Sequence, residues 1–138
     1  MNRIFVDTSA WDAIADSVDQ HHEEALLLKE EIAGNYSLAT TTFVLDELWT
    51  LLLLNAGYQR TVEFKKSLDI LADAGILEVV HVSEEMIRDA WAVFERFNVD
   101  KQWSFTDCVS YVVMKQQGIS EAFAFDHHFE QMGFIRRP

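Results

Sequence analysis

The sequence predicts an α/β fold in which a mainly parallel sheet is covered by helices on both faces. Three observations carry that prediction. Short apolar runs such as Ile4-Phe5-Val6 and Ala122-Phe-Ala-Phe125 contain no polar residue, as strands buried on both faces require. Segments of helical length separate them and close at Gly34, Gly57, Gly75 and Gly118. The two kinds of segment alternate along the chain, the pattern of parallel strands joined by crossover helices.

Arg3-Ile-Phe-Val-Asp7 is an apolar run ending in an acid and then Thr8-Ser9, which reads as a buried strand running into a helix start. Ser9 to about Val18, and Asp19 to Ala33, read as two helices rich in Glu and Leu. Tyr36 to Thr40 is the second strand. Thr41 or Thr42 then caps a helix carrying Phe43, Val44, Leu45, Leu48, Trp49 and Leu51 to Leu54 before Gly57 ends it. A helix over Gln59 to Ala74 hands over at Gly75 to a β-rich run, Ile76 to Val82. Ser83 caps the next helix and places Glu84 and Glu85 in its first turn, where the helix dipole favours them. After a polar loop, Asn98 to Gln102, Ser104 is the N-cap of a helix through Gln117 with Asp107 at the N3 position. Ala122 to Phe125 is a further short strand that again ends in an acid, Asp126. No repeat or linker interrupts the chain, and 138 residues suit one domain spanning 1–138.

A content of 49% apolar and 25% charged residues excludes a disordered chain. The longest apolar stretch, Leu48 to Leu54, is broken by Thr50 and falls far short of the roughly 20 residues of a membrane span. Ile4 to Val6 is too short for a secretory signal. Cys108 is the only cysteine, which excludes an intrachain disulfide and a thiolate metal cluster, so a reducing cytoplasm is the expected location. The formal charge of −12 excludes a broad basic face for nucleic acid, because Lys and Arg neutralising phosphates supply most non-specific affinity. Any RNA must be held locally or with a partner.

Asp7 and Asp126 each end an apolar strand, where side chains project into the crevice at the C-terminal edge of a parallel sheet. Asp107 sits at a helix start, where the dipole favours negative charge. Each acid alone reads equally well as a cap or turn residue; their joint placement points to a site. Carboxylates brought together raise one another's pKa and destabilise the fold unless a cation lies between them. Oxygen ligands suit Mg²⁺ or Mn²⁺, and such an ion acidifies a bound water and stabilises a phosphodiester under in-line attack. The chemistry implied is phosphodiester hydrolysis.

Phe5-Val-Asp7-Thr-Ser-Ala, Leu45-Asp-Glu47-Leu, Ser104-Phe-Thr-Asp107 and Phe125-Asp126-His-His-Phe-Glu-Gln-Met-Gly-Phe134 together resemble the PIN domain over nearly the whole chain. Within that family the chain is most similar to VapC-type toxins of toxin–antitoxin pairs. The resemblance implies a three-layer α/β/α fold with a central, mainly parallel sheet, and a metal-dependent endoribonuclease. It carries an acidic Mg²⁺ or Mn²⁺ site onto Asp7, Glu47, Asp107 and Asp126, with Thr8 and Ser104 as supporting polar groups. Asp7, Glu47 and Asp107 would hold the principal ion, and Asp126 would complete the pocket or help a second ion. Helical periodicity does not choose Glu47 over Asp46, which point about 100° apart; the resemblance does. The partners it implies are an RNA substrate, an antitoxin whose C-terminal segment covers the acidic crevice, and a second copy in a homodimer. The alternatives are a catalytically silent PIN-like interaction module and a PIN ribonuclease of RNA processing outside toxin–antitoxin systems.

Other residues invite chemistry. His127 and His128 follow Asp126, but no Glu-x-x-His or His-x-x-x-His spacing accompanies them or His21-His22, and these histidines read as solvated. Trp103 reads as a packing residue ahead of a platform for an unpaired base. Arg60, Lys65, Lys66, Arg136 and Arg137 are the only local concentrations of positive charge, either phosphate contacts or solvated ends. The apolar face of Trp11, Ile14 and Leu26 to Leu28 exceeds what a small sheet needs, and reads as a surface for a partner chain. A haloacid-dehalogenase-type phosphatase needs an acid two residues after Asp7, where Ser9 stands. A receiver domain needs its phospho-acceptor Asp after the third strand, where the chain has Val80-His-Val-Ser83.

Overall fold

The computed structural model describes residues 1–138. Five strands, β1 (Asn2–Val6), β2 (Tyr36–Thr41), β3 (Leu77–Val80), β4 (Glu121–Phe123) and β5 (Ile135–Arg137), pair in parallel in the order β3-β2-β1-β4-β5. The helices are α1 (Thr8–Ala15), α2 (His22–Ile32), α3 (Thr42–Ala56), α4 (Tyr58–Asp73), α5 (Glu84–Phe97), α6 (Phe105–Gln117) and α7 (His128–Gln131). They cover both faces of the sheet in the three-layer α/β/α arrangement. Successive residues of a strand point to opposite faces. Phe5 accordingly meets the Phe129 ring of α7, whereas Val6 joins Trp11 of α1 and Phe64 of α4 around an apolar cavity of ≈ 220 Å³. One cluster of 32 buried apolar residues forms the core.

The chain leaves the central β1 for β2 and β3 on one side and returns to β4 and β5 on the other. That reversal falls at the C-terminal ends of β1 and β4, the position where such sheets place their ligands. Pairing fixes both ends there: Val6 is opposite Phe123, and the Asp7 N–H donates to the Phe123 carbonyl at 3.0 Å. Thr40 closes the other flank by accepting from Trp11 Nε1 at 3.3 Å and donating to the Val6 carbonyl at 3.0 Å.

Several boundaries differ from the sequence expectation, each for a local reason. The first helix ends at Ala15 instead of Val18 and the second begins at His22. Between them Asp16 accepts from the Val18 N–H and Asp19 from the His21 N–H, side-chain bonds that compete with helical ones. β4 stops at Phe123, because the Phe125 N–H turns to the Ser9 hydroxyl. β5 and α7 carry no apolar periodicity and escape a sequence reading.

The Trp11 face is not a free surface. Trp11, Ile14 and Leu28 are buried, and Leu27 alone of the stretch is largely exposed, at 68%. The basic residues are mostly engaged: Arg137 with Glu31 and Glu121, Arg136 with Glu130, Lys65 with Asp69, and Arg60 with the Ala15 carbonyl and Glu63. They brace the fold instead of offering a phosphate track. No helix is long and apolar enough to cross a membrane.

Candidate active site

Asp7 leaves β1 and becomes the N-cap of α1, its backbone extended at φ −84° and ψ 165°. Its carboxylate accepts from the Ser9 hydroxyl at 2.9 Å and the Ser9 N–H at 3.4 Å. The same hydroxyl accepts from the Phe125 N–H at 3.1 Å, so Ser9 ties the end of β1 to the loop that carries Asp126. Asp7 is buried, and burial, then the charges of Asp126 and Asp107, push its pKa well above the usual carboxylate range; the Ser9 bonds only partly oppose this.

Asp107 occupies the N3 position of α6 in a capping box. Its N–H donates to the Ser104 hydroxyl at 3.0 Å, and its carboxylate accepts from the Ser104 N–H at 3.3 Å. Burial raises its pKa, the hydrogen bond from His128 lowers it, and the Asp126 charge raises it. Asp126, in the β4–α7 loop, accepts from the His128 N–H at 3.0 Å. The charges of Asp126 and Asp107 thus act on Asp7, and that of Asp126 on Asp107, although the three come from separate parts of the chain.

Glu47 does not share that field. It lies exposed on α3 beside an equally exposed Asp46, and it is absent from the charges that shift Asp7 and Asp107. Thr8 is buried in the first turn of α1, its hydroxyl without a hydrogen-bond partner. Ser104 serves as the α6 cap.

His127 is exposed, as expected, but the other three histidines named from the sequence are not simply solvated. His128 Nδ1 lies 2.6 Å from Asp107 Oδ2, His21 stacks on Phe125 with ring centroids 4.4 Å apart, and His22 Nδ1 lies 2.7 Å from the Ala13 carbonyl. Ser9 and His128 are the polar partners that spacing alone did not single out. The Asp-x-Ser turn after a strand was a readable signal for Ser9, whereas nothing local reveals that His128 reaches 21 residues back in sequence. Trp103 is a packing residue: it is buried against Phe97 and Tyr111 and donates Nε1–H to Gln131 at 2.8 Å.

No three or more His, Cys, Asp or Glu side chains stand close enough together to hold a metal ion. The donor set nevertheless suits a hard divalent cation by its chemistry: it is all oxygen, burial and like charge penalise Asp7 within the fold, and the residue next to Asp7, Thr8, has a buried hydroxyl without a partner.

Comparison with known proteins places these features in a family context. A family model described as the PIN domain matches residues 4–135. The chain is 33% identical to the 23S rRNA-specific endonuclease VapC20 of Mycobacterium tuberculosis, over 98% of both chains. It is 26% identical to a VapC ribonuclease of Archaeoglobus fulgidus, over 90% of this chain and 77% of that protein. The crystal structure of M. tuberculosis VapC20, described as a sarcin-ricin loop cleaving toxin, superposes with a TM-score of 0.85 at 32% identity, covering 98% of this chain and 99% of the other. VapBC2 from Rickettsia felis, at 14% identity and a TM-score of 0.65 over 98% and 97% of the two chains, shares the fold.

Proposed function

This chain belongs to the PIN domain family, and on that premise we propose that it is a metal-dependent endoribonuclease, the toxin of a type II toxin–antitoxin pair. The observation that supports the reading most strongly is that the charges of Asp126 and Asp107, from distant parts of the chain, both act on Asp7, whose burial already penalises its carboxylate. Mg²⁺ or Mn²⁺ held by these residues, with Glu47 brought in from α3, is the proposed cofactor. When bound, it would supply an acidified water and neutralise charge on a phosphodiester.

The protein's own groups prepare that chemistry. Ser9 fixes one carboxylate at the N-terminus of α1, and the Ser104 capping box fixes another at the N-terminus of α6. Both helix starts present partial positive charge, which favours the carboxylates and an incoming phosphate alike. Thr8, whose buried hydroxyl has no hydrogen-bond partner, is proposed as a supporting polar group next to Asp7. By its likeness to VapC20, the proposed substrate is structured ribosomal RNA. An antitoxin covering the acidic crevice, a homodimeric state and a cytoplasmic location complete the reading, and they account for a nuclease of charge −12 that lacks a basic track.

The test is RNA cleavage by the purified protein with Mg²⁺ or Mn²⁺, with EDTA, and in Asp7→Asn and Asp107→Asn variants. Metal-dependent cleavage lost in both variants is expected. Equal, metal-independent activity in all three proteins, or none in the wild type, would sink the enzymatic reading and favour a silent interaction module.

A further inference from the structure

One residue ties two of the three facing carboxylates together. His128 opens α7, and its backbone N–H donates to Asp126 Oδ1 at 3.0 Å while its ring Nδ1 lies 2.6 Å from Asp107 Oδ2. Facing an ionised Asp107 carboxylate, which only accepts, Nδ1 would be the donor. Asp107 Oδ2 also takes the Ser104 N–H, so both donors fall on the same oxygen. Oδ1 of Asp107 is left without a protein donor. The ring is only one-third exposed and the Asp107 side chain one-tenth, so the contact is shielded from competing water.

We propose that His128 is the positioning residue of the acidic site, its imidazole committing Asp107 Oδ2 so that Oδ1 is presented to a divalent cation, while its main chain holds Asp126. This rests on the reading of the acids as a cation site. The arrangement parallels the hydrogen-bonded partners that orient metal ligands elsewhere, whose loss costs roughly 10- to 100-fold in metal affinity or activity. A tie that merely fastened the β4–α7 loop to α6 would instead contribute to stability alone.

The two are separated by measuring Mn²⁺ affinity by calorimetric titration, and Tm in EDTA, for the wild type and for His128→Ala, His128→Asn and His128→Gln. Asn places its amide nitrogen near the Nδ1 position and Gln nearer Nε2. The expected result is Mn²⁺ binding weakened roughly 10- to 100-fold in His128→Ala with little change in metal-free Tm, and affinity largely recovered in His128→Asn but not in His128→Gln. If His128→Ala does not fold, the Asn and Gln variants decide the matter between them. Wild-type affinity in His128→Ala, equal affinity in the Asn and Gln variants, or affinity falling only in step with Tm would overturn the proposal. A wild-type protein that neither binds Mn²⁺ nor cleaves RNA would remove the nuclease reading itself, and the positioning role with it.

Discussion

Asp12→Asn should stabilise the protein at neutral pH and leave it nearly unchanged near pH 4. Asp12 lies in α1 at 6% exposure, and one of its carboxylate oxygens is buried with no hydrogen-bond partner. Burial first, then the charges of Asp19 and Asp16, raise its pKa from 3.8 to about 6. The folded protein therefore holds this proton more tightly than the unfolded chain does. Between pH 3.8 and about 6 the native state binds more protons, so stability falls as pH rises through that window and the loss is complete above it. At 1.36 kcal/mol per pH unit the gap amounts to about 3 kcal/mol. Asparagine keeps a buried polar amide, which reduces the gain to about 1–2 kcal/mol. For a chain of this length that is a Tm rise of roughly 3–8 °C. Thermal unfolding of both proteins from pH 4 to pH 8 measures it. A gain that is the same at pH 4 and pH 7.5, or absent at pH 7.5, would refute the reasoning.

Other outcomes follow from the same charges and packing. Asp7→Asn should raise the metal-free Tm at pH 7, because the most heavily penalised carboxylate becomes neutral, and should abolish cleavage; a lowered metal-free Tm would contradict the repulsion described. Mn²⁺ at about 100 times its Kd should stabilise the wild type by about 2.7 kcal/mol in a thermal-shift measurement and leave Asp7→Asn little changed. Trp103→Ala should cost about 3–5 kcal/mol in chemical denaturation, as expected for an aromatic side chain buried against Phe97 and Tyr111, and a loss under 1 kcal/mol would return Trp103 to the list of surface platforms.

How much of this was legible in the sequence depended on whether the signal was local. β1, with three consecutive apolar residues ending at Asp7, and α6, with its Ser104–Asp107 capping box, are written in neighbouring residues, and both were readable. The parallel sheet followed from the alternation of such segments. β5 was not readable, because Ile-Arg-Arg looks like a charged tail until Arg137 is seen between Glu31 and Glu121 and Arg136 against Glu130. The Trp11 face misled because α4, distant in sequence, supplies the Phe64 and Leu68 that cover it. Asp7, Asp107 and Asp126 could be suspected from their positions at strand and helix ends. Glu47 rests on the family pattern alone, since α3 leaves it exposed beside Asp46. His128 needed three dimensions, because a histidine two residues beyond an acid carries no hint of the α6 carboxylate it reaches.

The most direct measurement is the position of Mn²⁺ in crystals of the wild-type protein soaked with it, located by anomalous scattering. An anomalous peak bounded by the carboxylates of Asp7, Asp107 and Asp126 is predicted, with Glu47 drawn toward it. Crystals that show no such peak, or show it only at an acidic patch elsewhere on the surface, would contradict the account.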